Sequence, residues 1–157
     1  MPLPKQVMPT CRVSSAPFSP ETELTAFRER QDHAGAIVSF TGVVRPDNGV
    51  VALTLSHYPH YTEQEIQSIC ASASERFDLL DALIIHRIGS LTPGEVIVFV
   101  ATAATHRRSA FLGADYLMDY LKSAAPFWKK EDRADGSHWI EPTARDMTDR
   151  HRWEDEP

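Results

Sequence analysis

Val96-Ile-Val-Phe-Val-Ala-Thr-Ala103 leads through Thr105-His106-Arg107-Arg108 into a helical pattern that runs to Lys122. Val96 to Val100 is apolar on both faces of an extended chain, which predicts a covered central strand. From about Arg107 to Lys122 the apolar residues Ala110, Phe111, Ala114, Leu117, Met118 and Leu121 form one helical stripe. Pro126 forbids continuation and biases Ala125 toward an extended shape. Phe127 to Glu131 and Ser137 to Ile140 then read as a hairpin around Asp135-Gly136. Strand, helix, proline break and hairpin in this order argue α+β, not a doubly wound parallel sheet.

The upstream half fits that class. Gly35 to Arg45 and Val50 to His57 read as strands, and Pro46-Asp47-Asn48-Gly49 between them predicts a hairpin. Thr62-x-x-Glu65 reads as a capping box, opening a helix through Ile66, Ile69, Cys70, Ala73 and Phe77. Ala82 to Ile88 is a further strand, joined to the central one by a turn at Thr92-Pro93-Gly94-Glu95. Ser19-Pro20-Glu21 starts a helix that reaches about Gln31. About three helices are expected. Residues 1–18, with four prolines, form an extended arm with room for a short strand around Cys11-Arg-Val-Ser14. Residues 19–142 form the domain, and 143–157 a charged tail that is either a fraying helix or a segment that docks on a partner.

A chain of 157 residues can bury a real core. Its 42% hydrophobic and 24% charged content is ordinary for a globular domain. The net charge of -6 excludes a whole-chain nucleic-acid footprint, so local basic clusters stand out. Cys11 and Cys70 fit no metal spacing and suit reduced thiols. The N-terminus has no apolar run of signal-peptide length, and no stretch is long enough to span a membrane. A cytoplasmic location follows as the expectation.

The cations fall in four places. Lys122 sits in the last turn of its helix, at the edge of the apolar stripe. There it can complement the helix dipole and pair with Asp119, or serve as a partly desolvated amine of lowered pKa. Lys129 and Lys130 alternate on a short strand, so at most one faces the same pocket as Lys122. His106, Arg107 and Arg108 stand at a helix start, where a cation opposes the dipole unless an anion lies between. Arg45 closes a strand, where its fork can take a carboxylate or phosphate. His57 and His60 lack a third ligand for zinc, and His86 reads as a hydrogen-bonded core histidine.

Four ordered motifs are more specific than these parts. They are Phe40-Thr-Gly42-Val-Val-Arg45, His86-Arg-Ile-Gly89-x-Leu91-x-x-Gly94-Glu95, His106-Arg107-x-x-Ala110-Phe111 and Met118-Asp-Tyr-Leu-Lys122-x-x-Ala125-Pro126-Phe-Trp128-Lys129-Lys130-Glu131. Over roughly residues 13 to 142 the chain closely resembles the catalytic large-subunit family of molybdopterin synthase. The resemblance implies an α/β-hammerhead-type fold and a central homodimer within a heterotetramer. Each subunit would bind a small ubiquitin-like sulfur carrier with a C-terminal Gly-Gly thiocarboxylate. Sulfur would pass to cyclic pyranopterin monophosphate to form the molybdopterin dithiolene, with no metal or other cofactor.

Matched by motif, the resemblance makes Lys122 and Lys129 catalytic. It makes Val43, Val44, Arg45, His106, Arg107, Lys122, Lys129, Lys130 and Glu131 substrate-binding. Some relatives carry an arginine soon after the tryptophan strand that reaches the neighbouring subunit; here the first candidate is Arg145. Two other classes remain open: a non-catalytic scaffold for a ubiquitin-like partner, and a phosphate-ligand sensor.

Overall fold

The computed structural model describes residues 9–154. The first half of the expected arm and the last three residues of the tail lie outside them. The elements are β1 (Thr10–Ser14), α1 (Pro20–Glu29), β2 (Ala36–Val43), a 3-10 turn (Asp47–Gly49), β3 (Val50–His57), α2 (Tyr61–Phe77), β4 (Asp81–Arg87), β5 (Gly89–Leu91), β6 (Val96–Ala104), α3 (Arg107–Ser123), β7 (Phe127–Arg133), β8 (Gly136–Ile140) and α4 (Ala144–His151). The class is α+β, with four α-helices among the described residues where about three were expected.

Two four-stranded sheets share the work, in the orders β1-β4-β6-β2 and β5-β3-β7-β8. The pairing of β1 with β4 is parallel, and the others are antiparallel. The first sheet is covered on both faces, which explains why β4 is buried along its whole length and β6 from Val98 onward. Ala82, Ile84, Val98 and Val100 face α2 and α3, with Ile66, Cys70, Ala114 and Leu117. Leu83, Ile85, Phe99 and Ala101 face α1 through Phe27. Each strand thus presents alternate side chains to opposite halves of the core. Gly113 lets α3 lie close on this core, since a Cβ there would meet Leu79 Cδ2 at 2.8 Å.

Three expectations are corrected. β2 and β3 do not form a hairpin, because they belong to different sheets. Val44 is tied instead to the turn before β6: its N–H donates to Glu95 O at 2.9 Å, and its carbonyl accepts from Gly94 N–H at 2.9 Å. Those bonds carry the chain out of the first sheet, and the Asp47–Gly49 turn then delivers β3 to β7.

The α2 cap lies two residues earlier than the Thr62-Glu65 reading: Glu63 Oε2 accepts the His60 N–H at 2.6 Å. Thr62 is buried; its hydroxyl accepts from Tyr58 N–H at 2.9 Å and donates to Pro126 O at 3.0 Å. Phe111, placed on the apolar stripe of α3, is 60% exposed, while Ala110, Ala114, Leu117 and Leu121 are buried.

The described part of the charged tail forms α4 and docks on α3 of its own chain. Thr143-Ala-Arg-Asp146 is its capping box, a signal present in the sequence. Among the described residues, no helix is long and apolar enough to cross a membrane.

Candidate functional site

The proline break builds the site. α3 ends where Ala124 N–H and Ala125 N–H both donate to Tyr120 O, at 2.8 and 3.1 Å. The Thr62 hydroxyl pins the Pro126 carbonyl to the start of α2. Phe127 then stacks on His86 of β4, with centroids 4.0 Å apart and planes at 18°. These contacts fix the angle at which β7 leaves α3. Lys122, on the last turn of α3, and Lys129, third on β7, are thereby turned into one cleft of about 410 Å³.

Val43, Val44 and Arg45 line the same cleft at the exit of β2, and Glu131 lines it two residues beyond Lys129. Lys130 does not: it pairs with Thr54 and Trp139, on the face of β7 opposite Lys129. Sequence alternation anticipates that division. His106 and Arg107 are exposed at the far end of α3. Arg107 lines a separate shallow hollow with Arg108, Phe111, Leu112 and Asp115. The helix rises about 22 Å between Arg107 and Lys122, so one chain does not bring these residues to one cleft.

The electrostatics separate the two lysines' neighbours. Burial, then the nearby Lys122 cation, lowers the pKa of Lys129 to about 8, and Asp146 opposes that shift. Lys122 and Lys129 line the same cleft, close enough for one cation to act on the other. The shift brings Lys129 closer to neutral pH than an ordinary lysine. Asp119, the expected partner of Lys122, is engaged elsewhere: its Oδ2 accepts from Arg152 Nη2 at 2.7 Å and Trp153 Nε1 at 2.6 Å.

Burial, aided by Lys129 and Lys122, lowers His86 to about 3, although its bond to the Arg87 carbonyl favours the cation. Nδ1 lies 2.8 Å from that carbonyl, so Nδ1 carries the hydrogen. His86 is thus a neutral wall behind the lysine pair, as the core reading expected.

The remaining carboxylates are partly committed. Asp47 lies 3.3 Å from Arg45. Glu131 accepts from Arg133 Nε at 2.9 Å. Glu141, Thr143 and Asp146, which the sequence reading did not select, also line the cleft. Arg145 is exposed beside them. His57 pairs with Glu63 at 3.0 Å, on the same residue that caps α2. Among the described residues no group of three or more His, Cys, Asp or Glu is placed to hold a metal.

Comparison with known proteins adds lineage to this geometry. A family model described as MoaE protein matches residues 13–124. The molybdopterin synthase catalytic subunit of Caulobacter vibrioides is 51% identical over 145 residues, covering 92% of this chain and 97% of that protein. Its counterpart in Pseudomonas aeruginosa is 46% identical over 147 residues, covering 92% and 98%. The structure of the molybdopterin biosynthesis MoaE protein from Burkholderia ambifaria MC40-6 has a TM-score of 0.82 at 41% identity, covering 95% of this chain and 100% of that one. Sequence and fold agree along nearly the whole length, and the chain belongs to the MoaE protein family.

Proposed function

We propose that this chain is the catalytic subunit of a molybdopterin synthase. It transfers sulfur from the thiocarboxylated C-terminus of a small ubiquitin-like carrier to cyclic pyranopterin monophosphate. Each thiocarboxylate holds one sulfur, so two transfers make the dithiolene. The observation that carries this reading is the convergence of Lys122 and Lys129 in one cleft, in a chain of this family.

The substrates are anionic, and the cleft supplies cations from three elements: Arg45, Lys122 and Lys129. Exposed Lys122 is suited to the incoming tail, where an ammonium stabilises negative charge developing on the terminal carbonyl oxygen. Lys129 is deeper and of lowered pKa, suited to proton transfer at the pterin. Arg45 is suited to the phosphate. A cleft of about 410 Å³ lies in the range of small-molecule sites. The protein supplies no metal or other cofactor in this scheme.

His106 and Arg107 enter the same reading through a second copy of the chain. In a homodimer within a heterotetramer, the α3 start of one subunit would serve the cleft of the other. The exposed Phe111 beside Arg107 is apolar surface suited to such a contact. The location proposed is cytoplasmic.

Purified protein mixed with thiocarboxylated carrier and cyclic pyranopterin monophosphate should yield dithiolene product. Carrier binding without product would overturn the assignment in favour of a scaffold. Pterin binding without carrier binding would overturn it in favour of a sensor.

A further inference from the structure

α4 brings a carboxylate to the lysine pair and is itself fastened at a distance. At its start, Thr143 N–H donates to Asp146 Oδ2 at 3.0 Å and Asp146 N–H donates to Thr143 Oγ1 at 3.0 Å. Both residues line the cleft, so the helix cap also fixes the Asp146 carboxylate there. Past the other end, Trp153 is 5% exposed and packs edge-on against Phe77 and Tyr116, with centroids 5.6 and 5.5 Å away. Its indole N–H and the Arg152 guanidinium both donate to Asp119 Oδ2. Arg152 also lies 2.7 Å from Asp115, and Arg76 donates to the Trp153 carbonyl at 2.8 Å. Asp119 stands one helical turn before Lys122, so the latch and the cleft share the same end of α3.

We propose that Asp146 is a positioning residue for the Lys122–Lys129 pair, and that the Arg152–Trp153 latch on Asp119 keeps it in the cleft. Its consequence for turnover rests on the sulfur-transfer reading; its effect on the lysines does not.

The groups around Lys129 show why this carboxylate matters. β4 presents His86, which is neutral; α3 presents Lys122; α4 presents Asp146. Glu131 on the same strand is engaged by Arg133, and Arg45 at the exit of β2 is paired with Asp47. Glu141 lines the rim beyond β8, while the strand neighbours Leu55 and Ile140 are uncharged. Two like charges close together in a partly buried site disfavour each other. Asp146 is the counter-charge that lets Lys129 stay cationic beside Lys122.

The test reads Lys129 directly in the full chain. Acetic anhydride labels only the neutral amine, and peptide mass spectrometry reports its labelling midpoint against pH. Asp146→Asn keeps a cap acceptor at N3 while removing the charge. It should move the midpoint down from about 8 by at least about half a pH unit. The double variant Arg152→Gln with Trp153→Phe loosens the latch while keeping a ring in place, and should move the midpoint the same way. Asp149→Asn, one turn further along α4, should leave it in place.

In the reconstituted enzyme, the alkaline limb of kcat/KM should move with the midpoint. An unmoved midpoint in Asp146→Asn overturns the proposal. A shift in Asp146→Asn with none in the latch variant overturns the role of the latch. Shifted midpoints in chains that all fail to transfer sulfur, wild type included, would support the positioning role and overturn only the sulfur-transfer reading.

Discussion

The two ends of α3 carry cations under opposite conditions. At the C-terminal end Lys122 agrees with the helix dipole, and the break at Pro126 sets β7 and Lys129 beside it. At the N-terminal end, Arg107 and Arg108 oppose the dipole, and the first turn contains no acidic residue. His106 occupies the cap without a side-chain cap bond, and Ala110 N–H reaches its carbonyl only at 3.5 Å. The first end is a cleft walled by residues from several elements of the chain. The second is an exposed cationic surface, with Asp115 one further residue of its hollow, where an external anion would be favoured by the dipole. A helix of this length thus keeps apart two cationic clusters whose opposite relation to its dipole is already visible in the sequence.

The largest expected effects test that contrast through activity. Lys122→Ala and Lys129→Ala should each lower the sulfur-transfer rate by about a hundredfold or more. Lys130→Ala, on the opposite face of β7, should change it by less than about threefold. Near-normal turnover in either cleft variant would remove that lysine from the mechanism, and a large loss in Lys130→Ala would remove the distinction between faces.

The far end of α3 is tested by mixing subunits. If Arg107 acts in a second copy's cleft, Arg107→Ala and Lys129→Ala chains co-assembled in equal amounts should form one intact site per mixed dimer. Activity should return to roughly a quarter of wild type by random pairing. No recovery from two individually inactive, properly dimeric variants would place Arg107 and Lys129 of one and the same chain in a single site and overturn the exchange between copies.

The cleft end should also show itself in acid stability. His86 is lowered from 6.5 to about 3, chiefly by burial. Below pH 6.5 the unfolded chain takes up a proton that the folded chain refuses until about 3. Stability should therefore fall as pH falls through that window, by up to about 1.4 kcal/mol per pH unit, and be unaffected by this group above it. Lys129 acts in another range: its penalty is constant below about 8 and is relieved as pH rises from there toward 10.5. Urea denaturation at pH 7 and pH 5 should show a smaller difference in His86→Leu than in wild type. An equal difference in both would mean that His86 does not carry the acid sensitivity.

What was legible in the sequence follows from the range of each signal. The strands and α3 were readable because two-sided apolar runs and three-four spacing are local consequences of burial. The opposed faces of Lys129 and Lys130 were readable for the same reason. The β2–β3 pairing was misread because a turn signal reports where a chain reverses, not which sheet receives it; the Val44 bonds to the 94–95 turn decide that, and they are remote in sequence. α4 was half legible: its Thr143–Asp146 box was present, but its high charge hid a helix anchored just past its end by the buried Trp153 and the bonds to Asp119. The partition of the cations between two places was not legible, since it depends on the length of α3 and the angle of β7.

Asp119 supplies the smallest and sharpest test of the contrast, because it shows why Lys122 faces the cleft. Local spacing assigns Asp119 to Lys122 as a surface pair worth a few tenths of a kcal/mol. The structure gives its Oδ2 to the guanidinium of Arg152 and the indole N–H of Trp153. Asp119→Ala would leave a part-buried indole N–H without its acceptor, at a cost of about 1–3 kcal/mol. In a double-mutant cycle with Trp153→Phe, the two losses should overlap, with a coupling of about 0.5 kcal/mol or more. Additive losses would mean that the contact contributes nothing, and a matching coupling with Lys122→Ala instead would restore the local pair. The carboxylate's commitment to the C-terminal latch therefore settles two things at once: α4 stays on α3, and Lys122 is left for the cleft.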